Sequence, residues 1–318
     1  MTLNQGGVGG APPTSAAPTA QALRPGTGAA AVARDADRPT RLVSKVVFLI
    51  GLGIATVIFL FPFVWLLSAS LKQRQDVFSD DLFKFPLHVE NYSEIFTIAP
   101  IAHWFFNSVV VAVLAATAVT LSSAVVAFAF AYFRFPGRNV LFGLVLASMM
   151  LPNAVLMIPN FLIWNTLGQV NSPFFTPLWA GNLFGSAFYI FLLRQFFLGL
   201  PREVFEAARV DGASYPRMFW SIAAPLTRAA LIVVFIFELK ASWTDLMKPL
   251  IFMRDVALFT LPRGLQSLIA RFDPKVGGQG EFHLVMAATV VVTVPMIVIF
   301  FLAQRYFIEG IATTGSKG

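Results

Sequence analysis

The chain has 318 residues, of which 57% are hydrophobic and 12% are charged, and it carries a net charge of +7 with no cysteine. A water-soluble domain averages about 45–50% apolar and about 25% charged residues, so this composition indicates a protein whose solvent is lipid. The lack of cysteine excludes disulfides and thiolate metal sites, the three histidines predict no metal site, and the excess of Lys and Arg is typical of membrane proteins rather than of nucleic-acid-binding proteins.

Residues 1–40 differ in composition from the rest of the chain. Gly, Ala and Pro fill about half of these positions, and the apolar residues show no periodicity. This pattern predicts a disordered N-terminal tail. The first apolar stretch begins too late and runs too long for a secretory signal peptide.

Six segments are long and apolar enough to cross a bilayer, which requires about 20 residues of helix. They are Val46–Ser70, Phe106–Phe133, Asn139–Trp164, Phe174–Phe197, Leu226–Leu250 and His283–Tyr306. The predicted fold is therefore an all-α membrane protein with six transmembrane helices. The third helix is expected to kink or end near Pro159, because proline removes a helical hydrogen bond.

The distribution of Lys and Arg predicts the orientation. With both termini in the cytoplasm, fourteen of these residues lie on the cytoplasmic side and eight on the other. Membrane proteins show this positive-inside bias. The loop of about residues 199–225 is therefore predicted to be cytoplasmic.

This loop between the fourth and fifth spans is predicted to be a helix-turn-helix. Pro201 suits the first turn of a helix, where its missing N–H costs nothing, and Gly212 is placed to end that helix in a left-handed conformation. Ser214 can cap the second helix, which ends at Pro225. The apolar stripe of the second helix comprises Met218, Phe219 and Ile222. The loop is interpreted either as a docking site for another protein or as a plain connector.

Six residues of the loop have a distinctive spacing: Glu-Ala-Ala, three residues, Gly, nine residues, Ile, two residues and Pro. They are Glu206, Ala207, Ala208, Gly212, Ile222 and Pro225. In this motif the chain resembles the permease subunits of binding-protein-dependent ABC importers. Ala224 stands where the family pattern has leucine.

Other motifs resemble the carbohydrate-uptake branch of that family, in particular its six-span subunit of the maltose-permease type. They are Asn91-Tyr92, WFFNSVVVAV (104–113), RFPGRN (134–139), FLLRQFF (191–197), SWTDLMKPL (242–250) and QRYFIEG (304–310). The resemblance covers roughly residues 45–318. It implies a permease domain over residues 41–318, in the cytoplasmic (inner) membrane of a prokaryote.

The resemblance further implies that the 199–225 loop is a coupling loop docked on a dimeric cytoplasmic ATPase. The residues assigned to coupling are Glu206, Ala207, Ala208, Asp211, Gly212, Ile222 and Pro225. The chain has no GxxxxGK[ST] loop, so we expect no catalytic residue and no cofactor of its own, with ATP and Mg bound by the ATPase. Lys317 is expected to be a secondary contact to that subunit.

The other partners implied by the resemblance are a second permease subunit in a heterodimer, an extracytoplasmic substrate-binding protein and a carbohydrate substrate. The basic residues Arg263, Arg271 and Lys275 leave a polyol phosphate open as the substrate. The glycine-containing loop Arg271–Glu281 is interpreted as a flexible connector or as a contact to the binding protein.

Charged residues in or near the fifth span suggest a translocation path, because charges in a bilayer usually face water or a partner. Glu238 and Asp245 are seven residues apart, which places them on one face of a continuous helix. Together with Trp243 they are predicted to line the path, with Asn153 and Asn160 as weaker candidates. The alternative is interhelical hydrogen bonding or contact with the second permease subunit.

Two other classes of function are compatible with parts of the sequence. A proton-coupled secondary transporter would use Glu238 and Asp245, but it predicts paired broken helices in inverted repeats and leaves the 199–225 loop unexplained. A membrane scaffold or sensor would use the loop to bind a signalling partner, without ATP-dependent transport.

Overall fold

The computed structural model describes residues 27–273, 275 and 280–315, and all regular secondary structure in this part of the chain is helical. Short 3₁₀ turns occur at Arg74–Asp76, Ala180–Phe184 and Val256–Leu258, and a π-helical turn at Phe219–Ala223. The α-helices are α1 (Thr27–Ser70), α2 (Asn91–Ile98), α3 (Ile101–Tyr132), α4 (Arg138–Ser148), α5 (Asn153–Thr166), α6 (Thr176–Trp179), α7 (Ala187–Leu198), α8 (Arg202–Val210), α9 (Tyr215–Met218), α10 (Ala224–Leu226), α11 (Arg228–Trp243), α12 (Met247–Phe252), α13 (Leu261–Phe272) and α14 (Phe282–Gly315).

The chain divides into two compact units, residues 1–62 and residues 63–318. In the first unit, α1 begins at Thr27, inside the stretch for which the sequence predicts a disordered tail. Residues 1–26 lie outside the described part, so the tail stays a prediction there. Lys317 and residues 274 and 276–279 of the Arg271–Glu281 loop also lie outside it.

Four helical segments of the described residues are long and apolar enough to cross a membrane: Ser44–Ser70, Ile101–Tyr132, Thr176–Leu198 and Phe282–Gln304. Two bent pairs would raise the number to six. The pair α4 and α5 bends by 97°, and the pair Tyr215–Leu226 and Arg228–Trp243 bends by 82°. The third predicted span is therefore a broken helix, and the second bend lies at Thr227, at the start of the fifth predicted span.

The third span breaks before Pro152, and the expectation that its helix ends near Pro159 is wrong, while a kink there stays a prediction. Proline disfavours the helical conformation of the residue before it, so Leu151 separates α4 from α5. Pro152 has an extended conformation and precedes the first residue of α5. Pro159 lies inside α5, which continues to Thr166 despite the missing hydrogen bond.

The fifth predicted span, Leu226–Leu250, contains two separate helices. Helix α11 ends at Trp243, and Asp245 lies in the turn before α12, where its Oδ1 accepts from the Lys248 backbone N–H at 3.2 Å. A side chain that bonds a backbone amide in this way favours a helix start. The prediction that Glu238 and Asp245 share one helix face is therefore wrong.

Helix α3 passes through both hydrophobic clusters of the second unit. One cluster joins α3 to α13 and α14, and the other joins α3 to α7, α8 and the segment 218–234. Buried alanines on α3 allow neighbouring helices to approach closely. They are Ala112, Ala115, Ala116, Ala118, Ala124, Ala127 and Ala131. A displacement at one end of α3 therefore has a packed route to its other end.

Candidate functional site

The 199–225 segment forms a helix, a left-handed glycine turn and a second helical segment. Gly212 has φ +78°, in the region that favours glycine. The Ala213 N–H donates to Ala208 O at 2.9 Å, and the Gly212 N–H donates to Arg209 O at 3.1 Å. This pair of hydrogen bonds is the Schellman arrangement that ends α8.

The second helical segment begins after Ser214, but the Ser214 side chain makes no capping hydrogen bond. Pro216 lies in the first turn of α9, where proline is tolerated. The predicted apolar stripe faces the protein: Met218 and Phe219 are buried, and Ile222 is half-buried against the same cluster. The segment 215–226 is thus held by its apolar side.

Phe205 anchors α8 to α3. Its side chain is buried although its neighbours Val204 and Glu206 are exposed. The Phe205 ring centroid lies 6.1 Å from that of Phe128 and 5.5 Å from that of Tyr132, both on α3. Aromatic pairs at such distances contribute about 0.5–1.5 kcal/mol beyond their burial. No sequence motif indicated Phe205, although it is the only aromatic residue in α8.

The residues of α8 divide between an inner and an outer side. Ala208 is half-buried and packs against the α3 cluster, so it is not part of a flat exposed Ala-Ala surface. Residues three and four apart share a helix face, and Glu203, Ala207 and Val210 form such a face, which we call the outer face of α8. All three are exposed, and Val210 is 88% exposed.

The other residues assigned to coupling lie elsewhere in the 199–225 segment. Glu206 is exposed and lines a cavity beside α8. Asp211 and Gly212 are exposed in the turn, and Pro225 is exposed at the end of the segment. Ala207 and Val210 thus present apolar surface that no other described residue covers.

Glu238 is held by an interhelical hydrogen bond. Asn182 Nδ2 donates to Glu238 Oε1 at 2.7 Å and lies 3.2 Å from Ala115 O on α3. The backbone carbonyl of Asn182 accepts from Ser122 Oγ at 2.9 Å. Asn182 therefore connects α11, α3 and the turn before α7. This is the interhelical bonding that the sequence left open as an alternative, and a path-lining role for Glu238 stays a prediction.

The other path candidates are not brought together. Trp243 is buried in the cluster of α3, α13 and α14, and its Nε1 donates to Val292 O at 3.3 Å. Asp245 Oδ2 lies 3.8 Å from Lys248 Nζ. Asn153 and Asn160 are exposed on α5. The buried indole of Trp243 packs edge-to-face with Phe105, and the path-lining roles of Trp243, Asp245 and Asn153 stay predictions.

The motif at residues 104–108 holds the segment 256–261 against α3. Trp104 Nε1 donates to Val256 O at 2.8 Å, and Asn107 Nδ2 donates to Ala257 O and Phe259 O, both at 2.9 Å. Ser108 Oγ accepts from the Leu261 N–H at 2.8 Å. These side chains satisfy backbone groups that would otherwise be buried without partners.

A second cavity, of about 800 Å³, opens between the residue 73–94 region and the start of α14. Arg74 Nη1 forms an ion pair with Glu281 Oε1 at 3.1 Å. Glu90 accepts hydrogen bonds from its own backbone amide and from His88, and both lower the pKa of its carboxyl group. Among the described residues, no group of His, Asp and Glu has the arrangement of a metal site.

The sequence matches a known protein family over residues 123–313, and that family is described as the binding-protein-dependent transport system inner membrane component. The arabinooligosaccharides transport system permease protein AraQ of Bacillus subtilis is 32% identical over 274 residues, which cover 83% of this chain and 92% of AraQ. The sn-glycerol-3-phosphate transport system permease protein UgpE of Yersinia enterocolitica is 33% identical over 267 residues, covering 81% and 92% of the two chains.

Two solved structures share the fold. A chain of a bacterial ABC transporter involved in the import of the acidic polysaccharide alginate superposes with a TM-score of 0.72 at 23% identity, covering 86% of this chain and 98% of that one. A chain of the alginate transporter in complex with its alginate pentasaccharide-bound periplasmic protein gives 0.60 at 14% identity, covering 83% and 95%.

Proposed function

Since this chain belongs to the family of binding-protein-dependent transport system inner membrane components, we propose that it is a permease subunit of an ATP-driven importer of a carbohydrate. As a multi-pass inner-membrane protein it is a transport subunit and not an enzyme. The carbohydrate class is supported by the relative that carries arabinooligosaccharides, and the relative that carries sn-glycerol-3-phosphate makes a polyol phosphate the second candidate.

The observation that carries the proposal is the outer face of α8 on a helix anchored to a central span. Glu203, Ala207 and Val210 are exposed, whereas Phe205 on the opposite side packs on α3. We propose that a dimeric cytoplasmic ATPase docks on this face, with ATP and Mg bound by the ATPase. The small Ala207 side chain allows close approach, and Val210 gives an apolar contact that removes exposed surface from water.

Coupling follows from the packing. A movement of α8 driven by closure of the ATPase dimer displaces Phe205 against Phe128 on α3. Because packed interiors transmit strain, α3 carries the displacement toward the cluster shared with α13 and α14. The translocation path is proposed to lie between this chain and a second permease subunit, with both termini in the cytoplasm. A substrate-binding protein delivers the carbohydrate on the other side, where the cavity beside Arg74 and Glu281 is available.

The proton-coupled alternative is not favoured. It needs Glu238 and Asp245 as a pair, but Glu238 is bound to Asn182, and Asp245 lies beyond the end of α11. The ATP-driven proposal also gives the α8 segment a role that the proton-coupled alternative lacks.

The proposal is tested with Ala207→Arg, which adds a long charged side chain to the exposed outer face without touching the core. We expect the purified variant to lose the ATPase subunit and ATP-dependent uptake. Arg217→Ala is the matched control, because Arg217 is exposed in the same segment but lies off the outer face of α8. Full ATPase retention and uptake by Ala207→Arg would refute docking on this face.

A further inference from the structure

A cavity of about 500 Å³ lies on the inner side of α8, between this helix and the ends of two candidate spans. It is lined by Tyr132, at the end of α3, and by Leu198, at the end of α7. These residues are also the last of the spans Ile101–Tyr132 and Thr176–Leu198. The cavity therefore lies where the hydrocarbon region of the bilayer gives way to the head groups.

The cavity has an aromatic floor and a basic rim. Rings from α3, α7 and α8, among them Tyr132, Phe197 and Phe205, form the floor. Tyr132 suits the boundary between acyl chains and water, because its ring is apolar and its hydroxyl is polar, and the Phe rings add apolar surface. The floor can thus hold the glycerol and upper acyl part of an amphiphile.

Three guanidinium groups line the rim: Arg134, Arg202 and Arg209. All three are exposed, and within the described residues none of them has an ion pair. Arg209 lies over the Tyr215 ring at 5.9 Å. Among the described residues, Glu206 is the only carboxylate that lines the cavity, so three positive charges face one negative charge. The cavity therefore attracts an anion.

We propose that this cavity, which we call the basic cavity, binds the phosphate head group of an anionic phospholipid of the surrounding membrane. Arginine suits a phosphodiester because its planar group can donate two parallel hydrogen bonds. A basic pocket between the membrane ends of helices is the usual setting for such a head group. A glycerophospholipid offers both the charge that the rim requires and the apolar body that the floor requires.

A bound lipid would hold α8 against α3. Arg202 and Arg209 belong to α8, whereas Arg134 follows the end of α3, so one phosphate bridges the two elements. The outer face of α8 is left free, because Arg202, Phe205 and Arg209 share the opposite face. Lipid binding and ATPase docking therefore use different sides of one helix, and the lipid site stands independently of the docking proposal.

The test is photolabelling of the full-length protein in membranes with a phosphatidylglycerol that carries a photoreactive head group. We expect labelled peptides from residues 128–134 and 197–209. The double variant Arg134→Gln, Arg202→Gln should reduce this labelling at least fivefold, and the double variant Arg134→Lys, Arg202→Lys should keep most of it. Arg217→Gln is the matched control, because Arg217 does not line the cavity, and its labelling should equal that of the wild type.

Any one of four results would overturn the proposal. Labelling of these peptides could be unchanged in the glutamine pair. It could fall equally in Arg217→Gln, which would indicate general attraction to basic residues. A zwitterionic phosphatidylcholine probe could label the cavity as strongly as the phosphatidylglycerol probe does. A cross-linker placed at position 134 could capture an acidic segment of the ATPase in place of lipid. Equal melting temperatures of the variants and the wild type would confirm that the variants are folded.

Discussion

Asn182 and Glu238 are joined by a hydrogen bond of 2.7 Å that links the turn before α7 to the middle of α11. Asn182 also lies beside the Ala115 carbonyl, so the bond ties both elements to α3. In the bilayer, where water is not available, the two polar side chains satisfy each other by this hydrogen bond. The relationship gives Glu238 a structural role whether or not it meets the substrate.

We expect Asn182→Leu to destabilise the protein, because it removes the Asn182 amide that donates to the half-buried Glu238, while Tyr189 still contacts that carboxylate. A hydrogen bond to a charged group contributes about 1.5–3 kcal/mol. Glu238→Gln should cost less, because the amide oxygen of glutamine still accepts from Asn182. Thermal unfolding of the purified protein compares the two. Equal melting temperatures for Asn182→Leu and the wild type would show that the bond contributes nothing.

Uptake by Glu238→Gln tests the translocation-path prediction separately. If the carboxylate meets the substrate, uptake should fall while the ATPase subunit still copurifies and the melting temperature stays near that of the wild type. Lys240→Gln is the control, since it removes an exposed charge from the same helix. Normal uptake by Glu238→Gln would leave Glu238 with the interhelical role alone.

Substitution of Gly212 should act through the backbone. A Cβ at this position would meet nothing within 4 Å, but φ +78° is strained for a residue with a side chain. We expect Gly212→Val to cost roughly 1–2 kcal/mol and to weaken ATPase retention. Gly212→Asn should recover much of the loss, because asparagine tolerates the left-handed region. Equal behaviour of valine and asparagine would argue against a conformational cause.

Phe205→Ala should separate ATP hydrolysis from transport. Removal of the ring leaves a cavity at the contact with Phe128 and Tyr132, at a cost of about 3–5 kcal/mol for a buried phenylalanine. The outer face of α8 is unchanged, so the ATPase should still bind, but the link to α3 is lost. Val204→Ala is the control on the same helix. ATPase activity that remains while uptake falls is the expected result, and a proportional loss of both would contradict it.

Gly264→Ala should destabilise the packing of α13 on α3. A Cβ on Gly264 would overlap the indole ring of Trp104, which is buried and bonded to Val256. Overpacking of this kind costs about 1–3 kcal/mol. Gly181→Ala is the control, because its Cβ would enter open space. The melting temperature of Gly264→Ala should fall well below that of the control.

Sequence patterns predicted features that depend on neighbouring residues in the chain, such as turns. Contacts between distant parts of the chain became visible only in the structure. The glycine turn at Gly212 follows from a chain conformation that few residues adopt, so the motif spacing was sufficient to predict it. The contact of Phe205 with Phe128 joins positions far apart in the sequence, and no periodicity indicates it. Asn182 could have been found as a polar residue near Gly181 and Gly185 within a predicted span.

The two broken spans show why apolar length alone was insufficient. The segments Asn139–Trp164 and Leu226–Leu250 are apolar enough to cross a membrane, but hydropathy does not report a bend. Two prolines in the third span offered two places for the break, and the structure has it at Pro152. The turn after Trp243 moved Asp245 off α11, which removed the predicted shared face with Glu238.

Site-directed cross-linking of α8 to the ATPase tests the central claim most directly. The chain contains no cysteine, so a single introduced cysteine is a unique point of attachment for a photoactivatable maleimide. With the complex assembled in membranes, we expect a strong cross-link to the ATPase from Ala207→Cys. We expect little from Ala208→Cys, because the side chain at position 208 packs toward α3. A strong cross-link from position 208 with none from 207, or no cross-link to an ATPase from either, would contradict the proposed docking face.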